Sequence, residues 1–392
     1  MTARPTASLS SAFSAARRQF PHTRKQVYLN SAAYGPLSLP VQRAIEDNIR
    51  LRIAAEKDDT RMVYRARDEL RAAYARMIGA AKRQVAIGLS TSFGLNIAAF
   101  GLPLSKGDEV LVSDIEFPAL VYTFRAAAER RSLKLTFVKS RNRHFDIDEL
   151  QRTITRRSRV LAISWVQFFN GYKNDLKALA AICRENNMFL VVDGIQGMGV
   201  EPINVRRLGI DIFSAGCQKW MLSPQGCGFF YLSDAVRDLL KPPFMSWLGI
   251  DWKLQFEDLF RYDLPYIDSA ERFDLGYYNV HSILGMRAAS DFFQRLGIGN
   301  IQKRNYMLLD RLTDFLKASS HYSITSEMAP KHRSSILTFT CSHLKQLHRE
   351  LKRQRIVVAV REGSIRVAVH LFNNRQDIDR LILVLDRYSE SV

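Results

Sequence analysis

The chain has 392 residues, of which 47% are hydrophobic and 24% charged, with a net charge of +18 and a pI near 9.9. This is the composition of a globular protein, not of a collagenous, Cys-dense or disordered chain, and the length suits two domains or a large domain with a smaller one attached. No run approaches the roughly 20 apolar residues of a membrane-spanning helix, so no membrane partner is expected.

The opening stretch, MTARPTASLSSAFSAARRQF, is rich in Ser, Ala and Arg, and no acidic residue precedes Glu46. Residues 1–25 read as a flexible basic arm, with organelle targeting as the rival reading and the cytoplasm as the default location. Residues 26–60 are expected to pack near the small domain and the site. From about residue 80 to 232, β-branched apolar runs alternate with amphipathic stretches, the pattern of strands separated by helices over a parallel sheet. Strands are expected at Val110–Val112, Leu133–Val138, Val160–Trp165, Phe189–Val192, Ile212-Phe213 and Gly228–Leu232. The helices Phe117–Arg131 and Leu176–Asn187 carry apolar residues three and four apart. Lys106-Gly107-Asp108 and Pro224-Gln225-Gly226 supply turns before strands, and Lys241 to Pro265 reads as a long irregular segment. A helix over Val280–Arg295, a strand at Ile336–Phe339, a helix over His343–Gln354, a strand at Ile365–Val369 and a closing helix over Asp377–Tyr388 complete the chain. The fold class is therefore α/β, with a large domain over 61–270 built on a mainly parallel sheet and a smaller α+β domain over 271–392.

The four cysteines lack CxxC spacing and read as reduced core thiols, and the eight histidines form no metal-ligand cluster, so no metal is expected. The surplus charge keeps a nucleic-acid-binding protein in view as the non-enzyme alternative. Basic residues are spread along the chain, however, with local clusters at Arg130-Arg131, Arg152–Arg159 and Lys345–Arg355, and no interleaved aromatic and basic groove is evident.

The strongest local signal is FLVVDGIQ, in which a buried apolar strand ends in Asp193. A carboxylate at the carboxyl end of a parallel strand points into the crevice where ligands bind. Further along, DIFSAGCQKWMLSPQGCGFFYL sets Lys219 among small and apolar residues instead of in a charge run. Desolvation there lowers an amine's pKa and makes it a usable Schiff-base nucleophile. In GLSTSFGLNIAAFGL, Thr91 and Ser92 precede or open a helix whose free N–H groups suit a phosphate.

These motifs resemble the class V aminotransferase group of fold-type-I pyridoxal 5′-phosphate (PLP) enzymes, which includes cysteine desulfurases and isopenicillin-N-epimerase-like proteins, over roughly residues 26 to 388. The resemblance implies that Lys219 holds the cofactor as a Schiff base and that Asp193 pairs with its pyridinium nitrogen, keeping the ring an electron sink. It implies that Thr91 and Ser92 bind the phosphate, with a further contact from Ser214, and that Phe117 stacks on the ring. Gln167 is expected near the 3′-oxygen, and Gln196 and Gln218 beside Asp193 and Lys219. In VREGSIRVAVHLFNN, Arg366 takes the place of the arginine that grips the substrate α-carboxylate. Asn30, Ala32 and Tyr34 in VYLNSAAYGPLS fall in a loop that folds over the site, while FDLGYYN (Phe273 to Asn279) falls in the segment that reaches a neighbouring subunit's phosphate, which implies a homodimer with shared sites. Tyr34, Phe168, Phe169, Trp247 and Tyr277 are candidates for an aromatic pocket wall.

A desulfurase needs a mobile nucleophilic cysteine before or within the Arg-Gly segment, and Arg361-Glu362-Gly363-Ser364 passes straight into a strand without one. An amino-acid substrate remains, with transamination as the expected reaction and epimerisation or racemisation, or β-eliminating C–S lysis, as alternatives. All begin with Cα–H removal, for which Lys219 is the obvious base.

Overall fold

The structure, a computed structural model, describes residues 9–55, 60–252, 258, 260–276 and 279–390. Helix α1 (Leu9–Arg18) and strand β1 (Val27–Tyr28) lead into α2 (Leu39–Ala54) and α3 (Thr60–Ile78). There follow β2 (Val85–Gly88), α4 (Thr91–Gly101), β3 (Glu109–Ser113), α5 (Pro118–Arg131), β4 (Lys134–Val138), the hairpin β5 (Ser140–Arg141) and β6 (His144–Phe145), α6 (Ile147–Thr153) and β7 (Ser158–Ser164). The large domain continues through α7 (Leu176–Glu185), β8 (Phe189–Asp193), α8 (Val205–Leu208), β9 (Ile212–Gly216), β10 (Gly228–Leu232) and α9 (Asp234–Leu239). After α10 (Val280–Leu296) and α11 (Ile298–Ala318) come β11 (Ser323–Ile324), β12 (Ile336–Thr340), α12 (Leu344–Arg353), β13 (Ile356–Val357), β14 (Ala359–Arg361), β15 (Ser364–Ala368) and α13 (Arg375–Ser389).

The apolar runs pair into a seven-stranded sheet of order β2-β10-β9-β8-β7-β3-β4. Its pairs are parallel except those of β10, which is antiparallel to β2 and β9. Side chains alternate across the sheet with period two. Leu111, Leu161, Ile163, Leu190 and Val192 fill one core, and Val110, Val112, Val160, Ala162 and Val191 the other, against Leu95, Leu120 and Phe124 of α4 and α5. Burial on both faces explains why these strands read as continuous apolar runs, each large aliphatic side chain contributing about 1.5–3 kcal/mol. At the carboxyl ends Ser164, Asp193 and Ser214 stand in register on β7, β8 and β9, which places the ligand crevice of an α/β sheet at Asp193.

The second sheet is antiparallel, of order β11-β12-β15-β14. The chain's early residues belong to it as well. Strand β1 pairs with β13, Asn30 bridges Ala368, and Val27 and Leu29 are buried in the same core as Leu337, Val367 and Leu381.

Two expectations about domain organisation are corrected. The arm over 1–25 is packed from residue 9 onward: α1 buries Phe13 and Ala16, Phe20 is fully buried, and Arg17 pairs with Asp377 at 2.7 Å. Its apolar residues share one face of the helix, and that stripe outweighed the basic composition. The boundary at 271 also falls too early for the small domain, because α10 buries Ile283, Met286 and Phe292 in a large-domain core.

Candidate active site

A cavity of about 300 Å³ opens where the two domains meet, lined by residues that include Tyr34, Thr91, Ser92, Phe117, Asp193, Gln196, Gln218, Lys219 and Arg366. Nine positions expected from sequence thus converge on one site.

Asp193 ends β8 and is buried, with Oδ1 accepting the Ile195 N–H at 2.9 Å. Burial pushes its carboxyl up to about 6, against that hydrogen bond and the charge of Lys219. Lys219 lies past the end of β9, its Nζ 5.4 Å from the centroid of the Phe117 ring. Desolvation lowers its amine to about 8, with Asp193 opposing and Arg366 and Arg361 assisting. The backbone around this lysine is tightly held. Gly35 N–H donates to the Gln218 carbonyl at 2.8 Å, and His370 bonds the Trp220 carbonyl through Nε2 at 2.6 Å. Burial lowers His370 to about 4, so its ring is neutral, with Nε2 the donor and Nδ1 accepting the Leu371 N–H at 2.6 Å.

Elsewhere in the lining, Ser90 caps α4 by accepting the Phe93 N–H, and Thr91 Oγ1 accepts the Gly216 N–H at 2.8 Å. The N–H groups of the first helical residues, Thr91 and Ser92, lack intrahelical acceptors, and both residues line the cavity, an arrangement suited to an anion. Gln196 lines the cavity with both ends of its amide engaged. Its Oε1 accepts the Trp220 indole N–H at 2.8 Å and its Nε2 donates to the Ala32 carbonyl at 3.2 Å.

Arg366, central on β15, is 2% exposed. It donates through Nη1 to the Phe168 carbonyl and through Nη2 to Asn30 Oδ1 at 3.5 Å, and its Nε has no partner. Burial, with Arg361 adding to it, lowers the guanidinium to about 10. Asn30 itself stands behind Arg366 and does not line the cavity.

Two further expected residues are not brought to the wall. Gln167 is fully buried, its Nε2 donating at 2.9 Å to Glu116, a buried carboxylate that burial pushes up to about 7 and that also accepts the Ser164 N–H and hydroxyl. The Ser214 hydroxyl is occupied in donating to the Thr91 carbonyl at 2.9 Å beneath α4. Of the aromatic candidates, Phe168 reaches the cavity, edge-on to Phe117 at 5.2 Å, and Phe169 is buried under Arg143. Trp247 lines a separate cavity, and Tyr277 lies outside the described residues. Sequence reading missed Arg361, Glu116 and His370. Arg361 stood in the quoted Arg-Gly motif, and Glu116 next to Phe117 was the available signal for a buried acid.

The family model for aminotransferase class V matches residues 27–381. The chain belongs to the aminotransferase class-V family. An uncharacterized aminotransferase of Bacillus subtilis, YcbU, is 25% identical over 93% of this chain and 95% of its own. The cysteine desulfurase of Thermococcus onnurineus NA1 superposes with a TM-score of 0.85 at 22% identity, covering 97% of this chain and 98% of that one. The cystine C–S lyase C-DES, solved with its product cysteine persulfide, superposes equally well, with a TM-score of 0.85 at 22% identity over 94% of this chain and 99% of that one. The fold is thus the PLP fold type I.

The family's cofactor is PLP, and the residues present fit it. Phe117 is 41% exposed inside a cleft, a bare aromatic face of the kind that a stacked ring covers. Asp193 is a buried carboxylate whose one hydrogen bond among the described residues is from a backbone N–H, leaving acceptor capacity for a ring N–H, and the start of α4 offers free N–H groups suited to a phosphate. When bound, PLP supplies the electron sink for bond breaking at the substrate Cα.

Proposed function

We propose that this protein is an aminotransferase: it converts an amino acid to its 2-oxo acid and hands the amino group to a second 2-oxo acid. The observation that carries the reading is the accounting of proton carriers. Among the described residues lining the cavity there is no histidine and no lysine besides Lys219, and Tyr34, more than half exposed on the loop over the site, is the one phenol. Phe117 and Gln218, which flank that lysine, cannot carry protons. Lys219, its amine brought down to about 8 by desolvation, is therefore the base that takes the Cα proton and the acid that returns it one position away on the same face. Arg366 orients the α-carboxylate and Asp193 holds the ring proton. Epimerisation would need a second proton carrier on the other face of Cα.

A desulfurase is disfavoured by the hairpin between β14 and β15. Arg361 and Ser364 pair across a two-residue turn, Glu362 and Gly363, both with positive φ, which leaves no loop to carry a thiol. Cys183, Cys217 and Cys227 are buried, and none of the four cysteines lines the cavity. β-Elimination is the second reading, favoured by the likeness to the C–S lyase C-DES and equally independent of a thiol nucleophile. Titration of the holoenzyme with a panel of amino acids, with products identified by mass spectrometry, separates the two. Release of the 2-oxo acid with loss of the visible cofactor band supports transamination. Pyruvate and ammonia with the band retained would overturn it in favour of elimination.

The same reading implies a homodimer with shared sites. It is supported by Phe260 and Tyr262, 84% and 85% exposed after the second cavity's segment, since clustered bare aromatics mark contact surfaces. Tyr277 and Tyr278 of the expected inter-subunit segment lie outside the described residues, and sedimentation velocity tests the assembly. The free cysteines support a reducing, cytoplasmic setting, and no helix among the described residues is long and apolar enough to cross a membrane. The basic clusters are partly spent on the fold. Arg131 donates to the carbonyls of Ala99, Leu102 and Leu104, and Arg152 and Arg353 pair with Glu149 and Glu350, which weakens the nucleic-acid alternative.

A further inference from the structure

Arg361 ends β14 and lines the cavity beside Arg366. Its backbone is fixed by a pinned turn. Arg143 Nη2 donates to the Glu362 carbonyl at 3.1 Å, and Thr340 Oγ1 donates to the Gly363 carbonyl at 2.9 Å. The guanidinium is not fixed in the same way: Nη1 touches the neighbouring Val360 carbonyl at 2.8 Å, and among the described residues no carboxylate lies within ion-pair distance. Arg366 beside it likewise has no carboxylate partner among the described residues, so two guanidinium groups of the lining stand without an acidic partner, the buried Arg366 and the exposed Arg361.

The cavity lining therefore carries Lys219, Arg361 and Arg366 against Asp193 as its carboxylate. On the proposed reading, the start of α4 serves the cofactor's phosphate and Asp193 its ring proton. Arg366 takes one carboxylate. A second guanidinium then lines the same cavity with no carboxylate partner among the described residues, and its field is felt at both Lys219 and Arg366, whose pKa values it lowers. An apolar or aromatic side chain packed over Arg361 would strip water from it and return nothing, whereas an acidic one would satisfy it.

We propose that Arg361 selects amino-acid substrates whose side chain ends in a carboxylate, of aspartate or glutamate type. This rests on the proposed action at Cα of an amino acid, and it adds the substrate class. Because Arg361 is exposed and its turn is held by backbone groups, Arg361→Gln should leave the fold intact.

The test is calorimetric titration of the purified holoenzyme with succinate, glutarate and propionate, which contain no amine to react, alongside kcat/KM for L-aspartate, L-glutamate and L-alanine. One of the two dicarboxylates should bind wild type about tenfold or more tightly than propionate, as expected for one added charge-assisted pair. Arg361→Gln should bring the ratio of dicarboxylate to propionate affinity, and of L-aspartate or L-glutamate to L-alanine kcat/KM, down toward one, and Arg361→Lys should restore part of the preference. Equal binding of dicarboxylates and propionate by wild type, or a preference that survives in Arg361→Gln, overturns the assignment. Failure of the underlying reading would look different: no visible cofactor band, or no amino-acid turnover, in wild type before any substitution is made.

Discussion

Replacing Arg366 by Leu separates a binding role from a structural one. The side chain is 2% exposed, makes hydrogen bonds to the Phe168 carbonyl and Asn30, leaves Nε without a partner, and among the described residues has no carboxylate in reach. Two charge-assisted hydrogen bonds to a substrate carboxylate, at about 1.5–3 kcal/mol each, give a loss of about 3–6 kcal/mol, or roughly 10²–10⁴ in kcat/KM. Stability should respond much less. Burial holds the guanidinium down from 12.5 to about 10, which corresponds to about 3 kcal/mol of strain on the charged form, and removing it offsets the cost of leaving the Phe168 carbonyl without its donor. The expected result is a holoenzyme with its visible band intact, a melting temperature within a few degrees of wild type, and a collapse of kcat/KM. Arg366→Lys should recover only part, because an ammonium cannot grip both oxygens. Steady-state kinetics with thermal denaturation decides the matter: a large loss of stability with an unchanged KM would make Arg366 a strut for the Phe168 loop and refute its role as carboxylate anchor.

Because the Lys219 amine sits at about 8, cofactor uptake by the stripped protein should accelerate with pH through about 8 and then level off, and an apparent pKa near the ordinary 10.5 would contradict the desolvated site. The same shift has a stability sign. Between about 8 and 10.5 the unfolded lysine holds a proton that the native one has lost, so stability of the cofactor-free protein should rise with pH across that window, and Lys219→Met should remove that contribution. Glu116 has the opposite sign: its carboxyl is raised from 4.5 to about 7, so the native state gains stability as pH falls through that range, and Glu116→Gln should flatten the slope between pH 5 and 8 in urea titrations, with Asp193 and Asp274 keeping the remainder. Gly35→Ala would place a methyl 2.0 Å from the Lys219 carbonyl and should cost about 1–3 kcal/mol, with KM raised as the loop over the site is pushed away. Unchanged melting and kinetics would show that the loop does not need that close approach.

How far the sequence reached depended on whether a residue's role follows from its neighbours along the chain. Strands β3, β7, β8 and β10 appear where period and composition place them, because burial on both faces writes itself into consecutive residues. Asp193, Lys219, Thr91, Ser92 and Arg366 were legible because each sits at a strand end, a helix start or a motif whose geometry is local. The partners of Gln167 and Ser214 were not legible, because the same kind of local argument cannot see a buried acid or a helix carbonyl arriving from elsewhere: Glu116 claims one amide and the Thr91 carbonyl claims one hydroxyl.

The N-terminal arm shows the same division. Its charge was readable and its packing was not, since Phe13 and Phe20 become core only when α10 and Phe372 are brought against them. By itself the sequence determined the α/β class and pointed to the strand end at Asp193 and to Lys219 as cavity residues, all properties of short segments. Only the tertiary structure decided that a two-residue turn carries Arg361 into the cavity beside Arg366, because that juxtaposition depends on how two domains close on one cleft and on no local pattern.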